Sequence, residues 1–372
     1  MTSQQEIQRR YDNVRRQAQE DGLDAVVVAG SEYTGFEGAV RYLSGFRLLH
    51  RYAYVVLPVE GEPSVVFLKE ARWVGDHSES WIEDKVFAEH PGQWIADRGF
   101  GKIGVYGLDY VMPVRDYRPL ADVAVPWDQG FDTARAVKSE EELASVEESF
   151  RLNEDGVRAA LAVYEVGKTE AEVMGEAERV FASGGTWRTT MDMVLTGENG
   201  SAGPEFRHPS HTRRIGEDDL LLYGLEIAAL GGHWVEFSRP FCAGEPSKDT
   251  LSALDAYHEY VEAARATMRA GATAHDVHMA VSKPFKDRGF MLGHVTGHSI
   301  GMTMIEFPRI GEGNEFELRE NMVISMHPHA ITEDDGACLY MQDTWRVTAE
   351  GGVPYSRVPL RIFRPGEELG GG

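Results

Sequence analysis

The stretch HVTGHSIGMTMIEFP, residues 294–308, decides the reading of this chain. It places His294 and His298 in an H-x-x-G-H-x-x-G run, with Gly297 and Gly301 as spacers, and closes on Glu306, Phe307 and Pro308. Its middle, HSIGMTM (298–304), reads as a strand. Further strands follow at MVISMHPH (322–329) and LYMQDTWRVT (339–348), and precede it at MDMVLTG (191–197), LLLYGLEIAAL (220–230) and HWVEFSRPF (233–241). Ser247 to Arg269 reads as a helix, and Thr273 with Asp276 caps another. Upstream, Ser139 with Glu142 and Thr169 with Glu172 give two more cap signals, the first before an apolar face of Val146, Phe150, Val157, Leu161 and Tyr164. From about Asp132 the order is therefore helix, helix, strands, helix, helix, strands, a two-fold echo of elements.

The first third is organised differently. Ile7, Tyr11, Val14 and Ala18 recur at helical spacing, and Gly22 ends that helix. LDAVVVAG (23–30) reads as a buried strand, YAYVVLPV (52–59) and PSVVFLK (63–69) as a hairpin, and KIGVYG (102–107) as a further strand. Strands mixed with helices predict an α/β domain. No Gly-rich phosphate loop follows these strands, so a nucleotide fold has no support. Two domains, 1–130 and 131–372, suit a chain of 372 residues.

Composition narrows the setting. The net charge of −23 repels phosphates and anionic lipid, which argues against nucleic acid and membrane partners. No run of 18 apolar residues suggests a membrane span, and the polar N-terminus lacks a secretory apolar stretch. Two cysteines, Cys242 and Cys338, leave no disulfide framework, so a reducing cytoplasm is the expectation.

The run at 294–308, with ENMVISMHP (320–328), QDTWRVTAEGG (342–352), ARAVKSEEELASVEESF (134–150), RRQAQEDGLDAVVVAG (15–30) and VRYLSGF (40–46), resembles the creatinase/Xaa-Pro aminopeptidase, or pita-bread, superfamily over nearly the whole chain. The resemblance implies an α/β N-terminal creatinase-like domain, an α+β pita-bread domain carrying the site on a curved sheet, and a homodimer in which the partner's N-terminal domain closes the site. Tyr33, Glu37, Arg41 and Arg51 lie in or near a loop that could reach such a partner's site.

Peptidases of the superfamily hold two metal ions with two Asp, one His and two Glu. Carried over residue by residue, the second Asp position is Glu236 in ValGluPheSerArg (235–239), and the His is His298. The two Glu positions hold His327 and Gln342. Counting back eleven from Glu236 puts the first Asp position on Leu225; a one-residue slip would put Glu226 there and require a bulge. With Leu225, a single formal charge serves the five positions, too little for two divalent ions. Glu236, His298 and His327, with Gln342 as a weak fourth ligand or donor to substrate, suit one divalent ion such as Fe, Zn or Mn. A dismantled, metal-free site like that of creatinase is the other reading. His208, with His211 as runner-up, matches the His that serves creatinase-like enzymes as general base; His294 matches a substrate-contacting His; Glu306 could orient a neighbour or bind a cation.

Ile305 stands where the family has a second catalytic His, and Tyr340 where it has an Arg. These departures favour a hydrolase or lyase other than a peptidase, cleaving a C–N or related bond in a small polar molecule. The alternatives are an Xaa-Pro aminopeptidase-type metallopeptidase, a mononuclear Fe(II) oxidative enzyme or lyase, and a catalytically silent binding module.

Overall fold

The computed structural model describes residues 2–32, 37–186 and 188–370. Tyr33 lies outside them, as does the side chain of Glu37. Two compact units are present: Met1–Glu141 together with Met302–Phe307, and Glu142–Gly301 together with Pro308–Gly372. The division comes later than the sequence pattern places it, because the helix at Asp128–Arg135 packs within the first unit, where Phe131 joins the core shared by the first two helices.

In the first unit the elements are α1 (Gln4–Glu20), β1 (Ala25–Ser31), α2 (Glu37–Ser44), β2 (Tyr52–Pro58), β3 (Ser64–Leu68), β4 (Asp84–Ala88), α3 (Pro91–Ala96), β5 (Ile103–Tyr106), α4 (Val114–Tyr117), β6 (Ala124–Pro126) and α5 (Asp128–Arg135). The strands form one sheet in the order β4-β3-β2-β1-β5-β6. β1–β2 and β2–β3 run antiparallel, while β3–β4, β1–β5 and β5–β6 run parallel. Alternate residues of β1 serve two cores. Val26 and Val28 pack with Ile7, Tyr11, Val14 and Ala18 of α1, and Val27 and Ala29 pack on the opposite face with Ile95 of α3. That alternation is the two-residue period of a strand covered on both faces, which is why the segment reads as a continuous apolar run.

The second unit comprises α6 (Glu140–Val163), α7 (Glu170–Ser183), β7 (Arg188–Gly197), β8 (Leu220–Ala228), β9 (Trp234–Glu236), β10 (Phe241–Cys242), α8 (Lys248–Thr267), α9 (Ala274–Lys286), β11 (Met291–Leu292), β12 (Gly297–Ser299), β13 (Glu306–Ile310), β14 (Val323–Met326), β15 (His329–Ile331), β16 (Cys338–Tyr340), β17 (Asp343–Val347) and β18 (Gly352–Pro354). The Thr169/Glu172 and Thr273/Asp276 capping boxes open α7 and α9 with both reciprocal bonds made. Three sheets follow the orders β10-β8-β7 with β9 on β8, β11-β15-β16, and β13-β12-β14-β17-β18.

The strand expected over 298–304 is cut short, since β12 ends at Ser299 and residues 302–307 return to the first unit. Gly38 explains the tightness of that return: a Cβ there would lie 1.5 Å from the Met302 carbonyl oxygen. The same segment carries Glu306, one of the candidate site residues. Its carboxylate is buried, with Oε1 3.2 Å from Arg135 Nη1 and Oε2 2.9 Å from Lys138 Nζ. Asp132 completes the cluster, accepting from Arg135 Nη2 at 2.7 Å and from the Phe307 amide at 2.9 Å. Both oxygens of Glu306 are thus spent on cations that fasten this segment. Removing one member of a buried charge network strands the others in a poor solvent, at a cost of about 3–5 kcal/mol. Glu306→Ala is therefore expected to lower the unfolding free energy by roughly that amount. An unchanged urea midpoint would leave the cluster without its fastening role.

Candidate metal centre

The site is a seam between two sheets of the second unit. On one side, β8 and β9 pair antiparallel with Glu226 opposite Glu236, so both carboxylates point to the same face. On the other side, His298, Ser325 and Thr344 lie in one cross-strand row of β12, β14 and β17. Thr344 joins the two. Its hydroxyl accepts from the Glu236 amide and donates to the Glu236 carbonyl, each at 3.0 Å. Gln342 adds a second tie, its amide donating to Ser238 Oγ at 3.0 Å and its carbonyl accepting from the Ser238 amide at 3.1 Å.

In this register Glu226, opposite Glu236, faces the site, and the Leu225 assignment is corrected. The irregularity lies across the ladder in β7, where the register shifts between Thr189 and Met191 opposite Ile227 and Glu226. Leu225 points to the other face and is fully buried. The site therefore contains two carboxylates, one more than the count that spoke against two divalent ions.

Glu236, His298 and His327 are all buried, and one candidate ligand atom from each lies within 4.8 Å of the others. His298 Nε2 is 3.3 Å from Glu236 Oε1, and His327 Nε2 is 4.0 Å from Glu236 Oε2. His298 Nδ1 donates to the Ser299 carbonyl at 3.0 Å, which fixes the ring's orientation and turns Nε2 toward the carboxylate. Burial would push Glu236 up, but the neighbouring His298 overrides it and holds the carboxyl at about 2. Burial likewise opposes the charged form of His298, and Glu236 overrides it and raises the imidazole. Burial pushes His327 down to about 3, so this ring is a neutral nitrogen donor near pH 7. Its Nδ1 is buried without a hydrogen-bond partner. One anionic oxygen and two imidazole nitrogens converging in a buried pocket fit one divalent ion.

Gln342 lies between the two carboxylates. Its Nε2 donates to Glu226 Oε1 and to Glu236 Oε2, both at 3.0 Å, while its Oε1 accepts from the Leu225 amide at 3.1 Å. That last bond fixes which end of the amide faces the carboxylates. Burial, then the charge on Glu236, raises the Glu226 carboxyl well above its usual range, and among the described residues its Oε2 has no partner.

Around the centre lies a wall of rings. His294 is exposed, 5.0 Å from His327 and 5.4 Å from His329 between ring centroids. Phe206 lies 4.9 Å from Tyr340 and 5.1 Å from His329. His208 and His211 are exposed on the segment that continues from Phe206. Glu226, Thr344, His329 and Phe206 escaped the sequence reading as site residues. The H-x-H spacing of His327 and His329 was the available signal for one of them; Phe206 had none.

This seam, with its buried three-donor set, belongs to the pita-bread superfamily of creatinase and Xaa-Pro aminopeptidase. Within it the chain is a member of metallopeptidase family M24, whose model matches residues 144–349. It is similar to the Xaa-Pro dipeptidase of Pyrococcus horikoshii, 23% identical over 343 residues that cover 89% of this chain and 92% of that protein. It is also similar to the Xaa-Pro dipeptidase of Pyrococcus furiosus, 24% identical over 84% of this chain and 89% of that protein. In structure it matches dipeptidase PepE from Mycobacterium ulcerans with a TM-score of 0.80 and 23% identity, covering 98% of this chain and 99% of the other. The chain is thus an enzyme of the hydrolase class.

These findings overturn the expectation of a non-peptidase, since the family is one of metallopeptidases and the relatives are named as dipeptidases. The physical error lay in equating loss of two-ion capacity with loss of peptide hydrolysis, and in the missing Glu226. Among the described residues, no helix is long and apolar enough to cross a membrane.

Thr344 is the tie on which the seam's geometry depends. Thr344→Val keeps the shape and removes the hydroxyl, leaving the buried amide and carbonyl of Glu236 without this partner. Each unsatisfied group costs about 1–3 kcal/mol. Unfolding of the metal-stripped variant in urea is expected to show a loss in that range, and a loss below experimental scatter would remove Thr344 from this role.

Proposed function

We propose that this chain hydrolyses the peptide bond of dipeptides, Xaa-Pro dipeptides among them, with one divalent ion held by Glu236, His298 and His327. The observation that carries the reading is the convergence of these three buried donors within 4.8 Å in a chain of a metallopeptidase family. The names of the similar dipeptidases support the substrate class. A divalent ion supplies Lewis acidity, making water a competent nucleophile near neutral pH and polarising a carbonyl.

The protein's own residues do the rest. Glu236 supplies the charge, and the two imidazoles supply nitrogen donors, that of His298 oriented in advance by the Ser299 carbonyl. His294 Nδ1 donates to the Val295 carbonyl at 2.8 Å, which leaves Nε2 free to accept a hydrogen bond from substrate. Phe206, Tyr340 and His329 offer flat apolar faces against which a compact side chain can rest. His208 is the proposed proton shuttle at the mouth of the site, a task suited to an exposed imidazole.

Purified protein is expected to carry about one divalent ion per chain, and His327→Ala to lose it. Hydrolysis of a dipeptide panel should vanish on chelation and return on adding Mn, Zn or Fe. A fully loaded protein that cleaves no dipeptide, or a chelated one that still cleaves them, would refute the proposal.

A further inference from the structure

We infer that Gln342 is the residue that limits this centre to one ion: its amide nitrogen occupies, with two N–H donors, the place between Glu226 and Glu236 that a second divalent cation would take. The inference rests on the one-ion reading above and explains it. Glu226 and Glu236 face each other across the β8–β9 ladder, so their carboxylates converge without any help from a metal. Two buried carboxyl groups at such range leave acceptor oxygens that need a donor between them. Gln342 Nε2 does so, at 3.0 Å from an oxygen of each.

An amide nitrogen has two hydrogens to donate and no lone pair for a metal. The amide cannot be turned to offer its oxygen instead. Oε1 is held by the Leu225 amide at 3.1 Å, and Gly224 leaves so little room beside it that a Cβ there would lie 3.1 Å from the same oxygen. Two features show that ligands remain on the far side of this brace. Glu226 is buried, yet among the described residues its Oε2 has no hydrogen-bond partner. The second oxygen of Glu236 accepts from Gln342 and lies 4.0 Å from His327. A carboxylate at position 342 would convert two donors into two acceptors on the same stem. Three carboxylates would then share a pocket that a second cation neutralises.

The test compares metal content and calorimetric titration with Mn(II) in the wild type, in Gln342→Glu, and in the exchanged pair Glu226→Gln with Gln342→Glu. The wild type is expected to bind one ion, Gln342→Glu to gain a second, and the exchanged pair, which restores one amide among the carboxylates, to return to one. Metal-free Gln342→Glu should also melt below the wild type and be raised further by Mn(II) than the wild type is. Should that variant fail to accumulate folded, Gln342→Asp reads the same gain with a carboxylate one carbon shorter. One ion in the wild type and no gain in the variants would overturn the inference and leave the proposed function standing. No ion in the wild type would overturn the one-ion reading, and the gain or its absence in Gln342→Glu would still decide the role of Gln342. Two ions in the wild type would overturn both.

Discussion

The hydroxyl of Thr344 is bound to both main-chain polar groups of Glu236, and the centre is built outward from that pair of bonds. They clip the short β9 strand to β17, which in turn belongs to the row that carries His298 and Ser325. A carboxylate on a three-residue strand has little intrinsic rigidity. Clipped at both its donor and its acceptor, it presents its oxygens to two imidazoles at a fixed place. The charge pattern follows. Glu236 stays anionic because His298 faces it, and burial, then the charge on Glu236 directly across the ladder, raises the carboxyl of Glu226. Gln342 then bridges them. Each of these steps needs the preceding one in place.

Much of the fold was legible in advance because its signals are local. The α1 stripe of Ile7, Tyr11, Val14 and Ala18 is buried as its spacing predicts. Two capping boxes open the helices at the residues that encode them, and the H-x-x-G-H-x-x-G run marks the pita-bread unit. What could not be read is what depends on register and on long-range return. Leu225 and Glu226 are neighbours in a fully buried strand, so burial pattern does not distinguish them; only the pairing of Glu226 with Glu236 does. The stretch 298–304 has strand composition, but the charges that capture Glu306 come from Arg135 and Lys138, more than 160 residues away in the chain. No periodicity reports such a contact.

The candidate ligands show the same division. Glu236, His298 and His327 could be named from motif positions, and the folded chain gathers all three. Gln342 was in reach of the same argument, but not its role. Whether a side-chain amide faces a carboxylate with its nitrogen or its oxygen is decided by the third partner, here the Leu225 amide. Counting formal charges along a sequence missed the second carboxylate for a related reason. Charge in a buried cluster is a property of the group, shared among neighbours, and one misplaced residue changes it for all of them.

His327 stands between β14 and β15, and Gln342 between β16 and β17, each in a gap where regular pairing lapses. Their amides are satisfied outside any ladder, by the Thr296 carbonyl and the Ser238 hydroxyl. Neither side chain has to match the pleat of a strand or the packing of the face behind it. The main chain at these two positions is thus anchored independently of the side chains, and the imidazole and the amide answer to the neighbours they meet in the site rather than to a strand's own pairing.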